Sequence, residues 1–510
     1  MNTSRPTSPS EPAGPVPVEQ LLAGRPPLLD VGDTVDEIHS GRRLVVLDDD
    51  PTGTQSIADL PVLTSWSVAD LRWALRQPTT AFFVLTNTRS LAEADAAQRN
   101  REIVRALDEA ARLEQVPYVL LSRGDSTLRG YYPLETDVLT EELGRTGVDV
   151  DGVLICPAYI EPGRVTVDSV HWMRTNEGMI PVADSEFARD ASFGYHHSDL
   201  RDWVEEKTAG RIGRDQVATI TLTDIREGGP DRVQQILSEL TGGRPVVVDA
   251  ADDADLRVVS LALVRAEAEG KTFVYRTGPS FVRARSGQTA TPAIDAARLA
   301  RITAAAGADN AAGADSADTG DAEDTRPAVT RGLIVVGSHV GLTTRQLDRL
   351  RAAGGIVELE LDVPTLLDPA THDAHLADVV ARAEELLRRN DSGSDVVIRT
   401  SRTLVTGGDA ADSLVIARTV SAALVGTVRE LVGRVRPSFV LAKGGITSSD
   451  TATEGLGIRR AWSRGTMLPG IVSLWEPAEG PARGIPYIVF AGNVGTDDAL
   501  ADVVATLRHT

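Results

Sequence analysis

Three acidic residues in a row, Asp48-Asp49-Asp50, close the apolar run Leu44-Val45-Val46-Leu47 and lead into Pro51-Thr52-Gly53-Thr54-Gln55. Carboxylates this crowded repel one another, which raises a pKa and readies one of them to take a proton from a hydroxyl. Asp and Gly also gather in turns for backbone reasons, so the run alone reads either way. A second polar stretch, Ser122-Arg123-Gly124-Asp125-Ser126-Thr127-Leu128-Arg129-Gly130, follows the apolar run Tyr118 to Leu121. Acid, hydroxyl and guanidinium together suit a polyhydroxy carboxylate: Arg129 grips the carboxylate in a two-pronged contact while Asp125 and Ser126 take hydroxyls. A salt-bridged loop would use the same residue types. A third stretch, beyond Gly152 to Cys156, offers Arg164 as an anion contact and His171 as either a ligand contact or a structural hydrogen-bonding group. His196-His197 lacks the spacing of metal ligands, and no metal site is assigned.

The second half carries a different chemistry. Gly337-Ser338-His339-Val340-Gly341 follows the apolar run Leu333 to Val336, and small residues at such a turn open backbone N–H groups to a phosphate. Lys443-Gly444-Gly445-Ile446-Thr447-Ser448 is the stronger element. Its glycines let the backbone approach an anion, Thr447 and Ser448 add hydroxyls for phosphate or Mg²⁺, and Lys443 is a point charge. Only three lysines occur, Lys207, Lys271 and Lys443, so a lysine retained here is informative. Gly492-Asn493-Val494-Gly495 forms a third loop of this kind, with Gly492, Asn493 and Gly495 as candidate phosphate contacts. Two familiar nucleotide signatures fail. Arg265 stands where a P-loop ending at Gly270-Lys271-Thr272 needs its first glycine, and no GxGxxG opens a helix after the first strand.

Each of these loops needs a strand before it and, in most cases, a helix after it. Short apolar runs do alternate with amphipathic stretches from Gly41 onward, the pattern of a mostly parallel sheet covered by helices. Expected strands include Ala81 to Thr86, Val246 to Asp249, Phe273 to Arg276, Val396 to Thr400, Phe439 to Ala442 and Tyr487 to Ala491; expected helices cover about 91 to 114, 133 to 144 and 256 to 269. Residues 303–328 hold almost no large apolar side chains and cannot offset the entropy of ordering, so 303–330 is expected to be a flexible linker. The reading is therefore an N-terminal extension, partly disordered, over 1–40, one α/β domain over 41–302 and a second over 331–510. Both domains are α/β with mostly parallel sheets, and the active-site cleft is expected between them. The net charge of -21 argues against nucleic acid or an anionic membrane as partner. One cysteine excludes an intrachain disulfide, and no apolar run is long enough for a membrane helix. A cytoplasmic enzyme is the expectation, with self-association left open.

Taken together, Asp49-Asp50-Pro51-Thr52-Gly53, Asp125-Ser126-Thr127-Leu128-Arg129-Gly130, Gly163-Arg164, Gly337-Ser338, Lys443-Gly444-Gly445-Ile446-Thr447 and Gly492-Asn493-Val494-Gly495 resemble the four-carbon acid sugar kinase family, in order and spacing over about residues 41–507. The resemblance implies a carbohydrate-catabolic transferase that uses ATP and Mg²⁺ to phosphorylate a terminal hydroxyl of threonate, erythronate or an oxo-tetronate. It places Asp49, Asp50, Thr52, Asp125, Ser126 and Arg129 on the sugar acid, and Ser338, Gly444 to Thr447 and Gly492 on ATP. The base is Asp125 or one of Asp49 and Asp50. Family members usually have an aromatic residue where Pro51 stands and asparagine where Tyr131 stands, differences on the sugar side. A branched oxo-acid from apiose breakdown is the alternative substrate; a noncatalytic sugar-acid and nucleotide sensor, an acid-sugar dehydrogenase and a phosphatase are the rival readings.

Overall fold

The structure, a computed structural model, describes residues 14–32, 35–39, 42–50, 52–313, 326–389, 393–402, 405 and 410–508. The chain separates into two compact units, one made of Met1–Asp50, Pro78–Phe82 and Thr86–Thr289, the other of Pro51–Gln77, Phe83–Leu85 and Ala290–Thr510.

In the first unit six parallel strands lie in the order Arg43–Asp48, Tyr118–Arg123, Phe273–Thr277, Gly152–Cys156, Arg244–Val248 and Ala218–Ile220. Their near-continuous apolar runs suit a sheet buried on both faces. Covering helices include Glu93–Glu114, Leu134–Arg145 and Asp253–Ala268. The last begins where Asp252 accepts from the backbone N–H of Ala254, a cap that fixes the entry of the helix after the Arg244–Val248 strand. A small antiparallel sheet, Arg164–Val167, Val170–Arg174 and Met179–Pro181, was not foreseen as strands because each is only three to five residues long.

The second unit contains a parallel set in the order Ile356–Leu361, Asp395–Thr400, Leu333–Val336, Val440–Lys443 and Tyr487–Phe490. Ile471–Pro477, Arg460–Leu468 and Leu60–Leu63 extend it by antiparallel pairing. Its core joins Ile334, Val336, Leu441, Ile488 and Phe490 to Ile294 and Leu299.

Three expectations about organisation need correction. The Leu60–Leu63 strand belongs with the second unit because it pairs with Arg460–Ser463, so residues 51–77 do not group with the rest of 41–302. Of the expected 303–330 linker, residues up to 313 continue the helix Ala296–Gly313, since alanine is the strongest helix former and outweighs the lack of apolar mass. Residues 314–325 lie outside the described residues. Of the expected extension, residues 1–13 are also outside them, whereas Val16, Val18, Leu21 and Leu22 pack on Val165, Trp172 and Met179, and Val16 pairs with Met179 as an added edge.

Candidate functional site

The first unit gathers its polar chemistry at the C-terminal edge of its parallel strands, where open α/β sheets bind ligands. Register places Asp48 beside Arg123 and Arg123 beside Thr277, so the Asp48-Asp49-Asp50 and Ser122–Gly130 stretches emerge side by side. Arg123 is buried between the acids, with Nε 3.2 Å from Asp48 Oδ1 and Nη1 3.4 Å from Asp49 Oδ1. Arg89 pairs with Asp50 and lies 3.8 Å from Asp125 Oδ1 and 4.0 Å from Asp49 Oδ1. Arg276 runs under the second loop, donating to Glu135 Oε2 at 2.8 Å and Ser122 Oγ at 2.9 Å. The loop can lie over that guanidinium only because Gly124 and Gly130 have no side chain: a Cβ would meet Arg276 Cζ at 2.2 Å and Nη2 at 2.7 Å respectively, and Gly130 holds φ +118°.

The acids are not equivalent. Burial opposes ionisation of Asp125, but the charges of Arg89 and Arg129 and hydrogen bonds from Thr127 and Arg129 hold it well below the usual carboxylate range. Arg129 Nε donates to Asp125 Oδ2 at 2.7 Å, and its guanidinium lies 4.8 Å from the centre of the Phe187 ring. Asp48 is pushed up to about 7 by burial, against the pull of Arg123. The Oδ2 atoms of both Asp48 and Asp49 are buried and accept no hydrogen bond. Such orphaned acceptors cost stability unless something fills them. Arg164 is the complementary orphan. Its Nε is buried without an acceptor, no carboxylate among the described residues forms an ion pair with it, and it feels the charges of Asp125 and Arg129.

His171 takes the structural alternative. It is fully buried, Nδ1 meets Thr166 Oγ1 and Nε2 meets the Ser126 carbonyl, both at 2.9 Å, so neither nitrogen remains for a ligand. Burial lowers it to about 4, which keeps the ring neutral. It braces Ser126 from behind. Thr52 groups with the second unit, ahead of the turn Gly53–Ser56.

In the second unit the three expected loops do converge, because their strands are neighbours: Val336 lies beside Lys443 and Lys443 beside Phe490. Thr343 Oγ1 donates to the Gly492 carbonyl at 2.9 Å and lies 3.1 Å from Ser338 Oγ, tying the first and third loops. A Cβ on Gly337 would meet Thr447 Oγ1 at 2.3 Å, which places the first loop against the second. Gly444 turns with φ +130° into the helix Gly445–Asp450, leaving Ile446 and Asn493 exposed. Gly495 takes φ +82° beside Ala499.

Lys443 departs from expectation. It is fully buried, with Nζ donating to the Ala491 carbonyl at 2.7 Å and lying 3.7 Å from the centre of the Phe490 ring. Burial lowers it to about 7. As the last residue of an interior strand it points into the packed layer and joins two strand ends through the Ala491 carbonyl. Ser448 is likewise occupied, donating to Ala442.

Arg89, Arg276 and Glu135 were missed by sequence reading. The two arginines share one usable signal: Arg276 lies near the end of a parallel strand, Phe273–Thr277, and Arg89 stands four residues after the strand Ala81–Leu85. Among the described residues no group of three or more His, Cys, Asp or Glu could hold a metal ion, and no helix is long and apolar enough to cross a membrane.

Comparison with known proteins matches residues 44–285 to a sugar-binding N-terminal domain and residues 333–500 to a nucleotide-binding C-terminal domain. A D-erythronate kinase of Heliobacterium modesticaldum is 25% identical over 336 residues, a match that spans 64% of this chain and 64% of that protein, just under two thirds of its length. A Salmonella typhimurium LT2 protein, provisionally assigned as a tRNA synthase, superposes with a TM-score of 0.61 and 18% identity over 90% of this chain and 98% of its own. A Haemophilus influenzae protein gives 0.59 and 18% over 91% and 100%. At that identity these two structures speak for the fold alone.

Proposed function

The chain belongs to the four-carbon acid sugar kinase family, and we propose that it transfers the γ-phosphate of ATP to a hydroxyl of a small sugar acid. The observation that carries this reading is the pair of unfilled needs at the first unit's strand edge: buried carboxylate oxygens on Asp48 and Asp49 with no donor, and the Arg164 guanidinium with no ion-pair partner among the described residues. A polyhydroxy carboxylate supplies both. Its carboxylate satisfies Arg164, and its hydroxyls donate to the aspartates.

Mg-ATP is assigned to the loops at Ser338, Gly444 to Thr447 and Gly492 to Gly495, where small residues bring backbone close to the ligand. Mg²⁺ would arrive on the triphosphate, held largely by phosphate oxygens and water with Thr447 or Ser338 as hydroxyl neighbours, and it would neutralise charge on the transferring group. The residues of this chain contribute position and proton acceptance. We assign the base to Asp49, since its buried Oδ2 accepts no hydrogen bond while Asp125 is held ionised by Arg89 and Arg129 and acts as their anchor. Arg129 then serves to fix Asp125, and Arg164 takes the substrate carboxylate.

The test is ADP release from ATP against a panel of threonates, erythronates and oxo-tetronates, with the branched oxo-acids of apiose breakdown as a further set. Release that depends on one panel member supports the reading. Binding of a sugar acid with no ADP formed under any condition would favour a sensor instead.

A further inference from the structure

We infer that Arg402 contacts the phosphates of the bound nucleotide, an inference that rests on the nucleotide reading of the second unit. The Asp395–Thr400 strand lies beside Leu333–Val336, with Arg399 in register with Val336, so the residues that follow it leave the sheet at the same edge as the Gly337-Ser338 loop. Arg402 reaches that loop. Its Nη1 donates to the Ser338 carbonyl at 2.5 Å and its Nη2 to Thr344 Oγ1 at 2.6 Å, in the first turn of the helix Gly341–Ala353.

What the side chain lacks is as informative. Its Nε is buried without an acceptor, and among the described residues no carboxylate forms an ion pair with it. The cations nearest in effect, Arg399 and Arg351, are already spent on Glu358 and Glu360. A guanidinium carries five N–H donors, and two contacts to the loop leave several unused. An arginine that is desolvated, oriented by a phosphate-type loop and, among the described residues, paired with no carboxylate, Asp348 acting on it only at a distance, is arranged for an anion that comes with the ligand. Lys443, the cation expected in this role, is turned inward onto the Ala491 carbonyl. Arg402 is therefore the charge that completes the site.

The full-length chain is titrated by calorimetry with Mg-ATP, Mg-ADP and adenosine, as wild type, Arg402→Gln and Arg402→Lys. Loss of a charge-assisted phosphate contact should weaken ATP and ADP by roughly 10- to 100-fold and leave adenosine nearly unchanged, with the lysine variant intermediate. Wild-type affinity for ATP in a folded Arg402→Gln variant, or equal weakening of adenosine, would overturn the inference. Because the glutamine variant could lose the loop's fold, a second measurement uses the wild type alone: phenylglyoxal labelling of Arg402, read by peptide mass. ATP and tripolyphosphate should slow labelling at this position and adenosine should not; equal rates would overturn the inference. A wild type that binds no nucleotide at all would remove the nucleotide reading itself, and the inference with it.

Discussion

Asp49 is buried and Asp125 partly buried at one strand edge, and their partners divide the work between them. Asp125 is bound by Arg129 and Thr127 and faces Arg89, so its charge is fixed and it has little tendency to take a proton. Asp49 keeps a buried oxygen that accepts no hydrogen bond. Asp49→Asn should therefore lower kcat by roughly 10² to 10⁴-fold with sugar-acid affinity little changed, the range for losing a general base. Asp125→Asn should chiefly raise KM for the sugar acid, because it releases Arg129 and Arg89. The reverse pattern in steady-state kinetics would return the base to Asp125. His171 offers a separate check by pH. Its native pKa of about 4 lies below the ordinary 6.5, so between those values the unfolded chain binds a proton that the native chain does not. Its contribution is complete above pH 6.5 and fades as pH falls to 4, on the order of 3 kcal/mol in all. Asp48, raised to about 7, works in the opposite sense, favouring the fold at low pH and losing that contribution as pH rises toward 7. The comparison with His171→Gln isolates the histidine: the wild-type advantage in urea midpoint should shrink as pH falls from 6.5 to 4. A constant gap would show that the ring is not held neutral.

At the scale of elements, the loops that matter are the ends of parallel strands, and that much was legible because apolar runs such as Tyr118 to Leu121 and Leu333 to Val336 stop abruptly at polar, glycine-containing stretches. Sequence alone did not order the strands. The passage of Arg276 beneath Gly124 depends on Phe273–Thr277 lying between Tyr118–Arg123 and Gly152–Cys156, strands distant in sequence from it. Nor could it tell which way Lys443 points, since strand alternation near an interior strand end sends a side chain into either layer. Short strands such as Leu60–Leu63 carried too few residues for a period to show. The glycine argument has a direct test. Gly124→Ala would force a Cβ onto Arg276 Cζ, an atom pinned by Glu135 and Ser122, and should destabilise the first unit by about 1–3 kcal/mol in a urea melt. Stability equal to wild type would mean that Arg276 is free to move.

For the molecule as a whole, the two matched domains correspond to two chemistries, but the compact units do not follow the chain's midpoint. Ile294 and Leu299 are buried in the core of the second unit, ahead of the boundary that composition suggested. A fragment of 331–510 should accordingly be less stable than one of 290–510 by about 3–5 kcal/mol, the worth of burying two large aliphatic side chains. Equal urea midpoints would put the boundary back near 331. Phosphoryl transfer to a sugar-acid hydroxyl can be followed by phosphorus NMR of the full chain with Mg-ATP and the four-carbon sugar acids. A phosphomonoester resonance coupled to carbon-bound protons should grow as ATP falls and ADP rises, only when the acceptor is present. ATP hydrolysed to inorganic phosphate alone, or left intact while the sugar acid binds, would contradict that transfer.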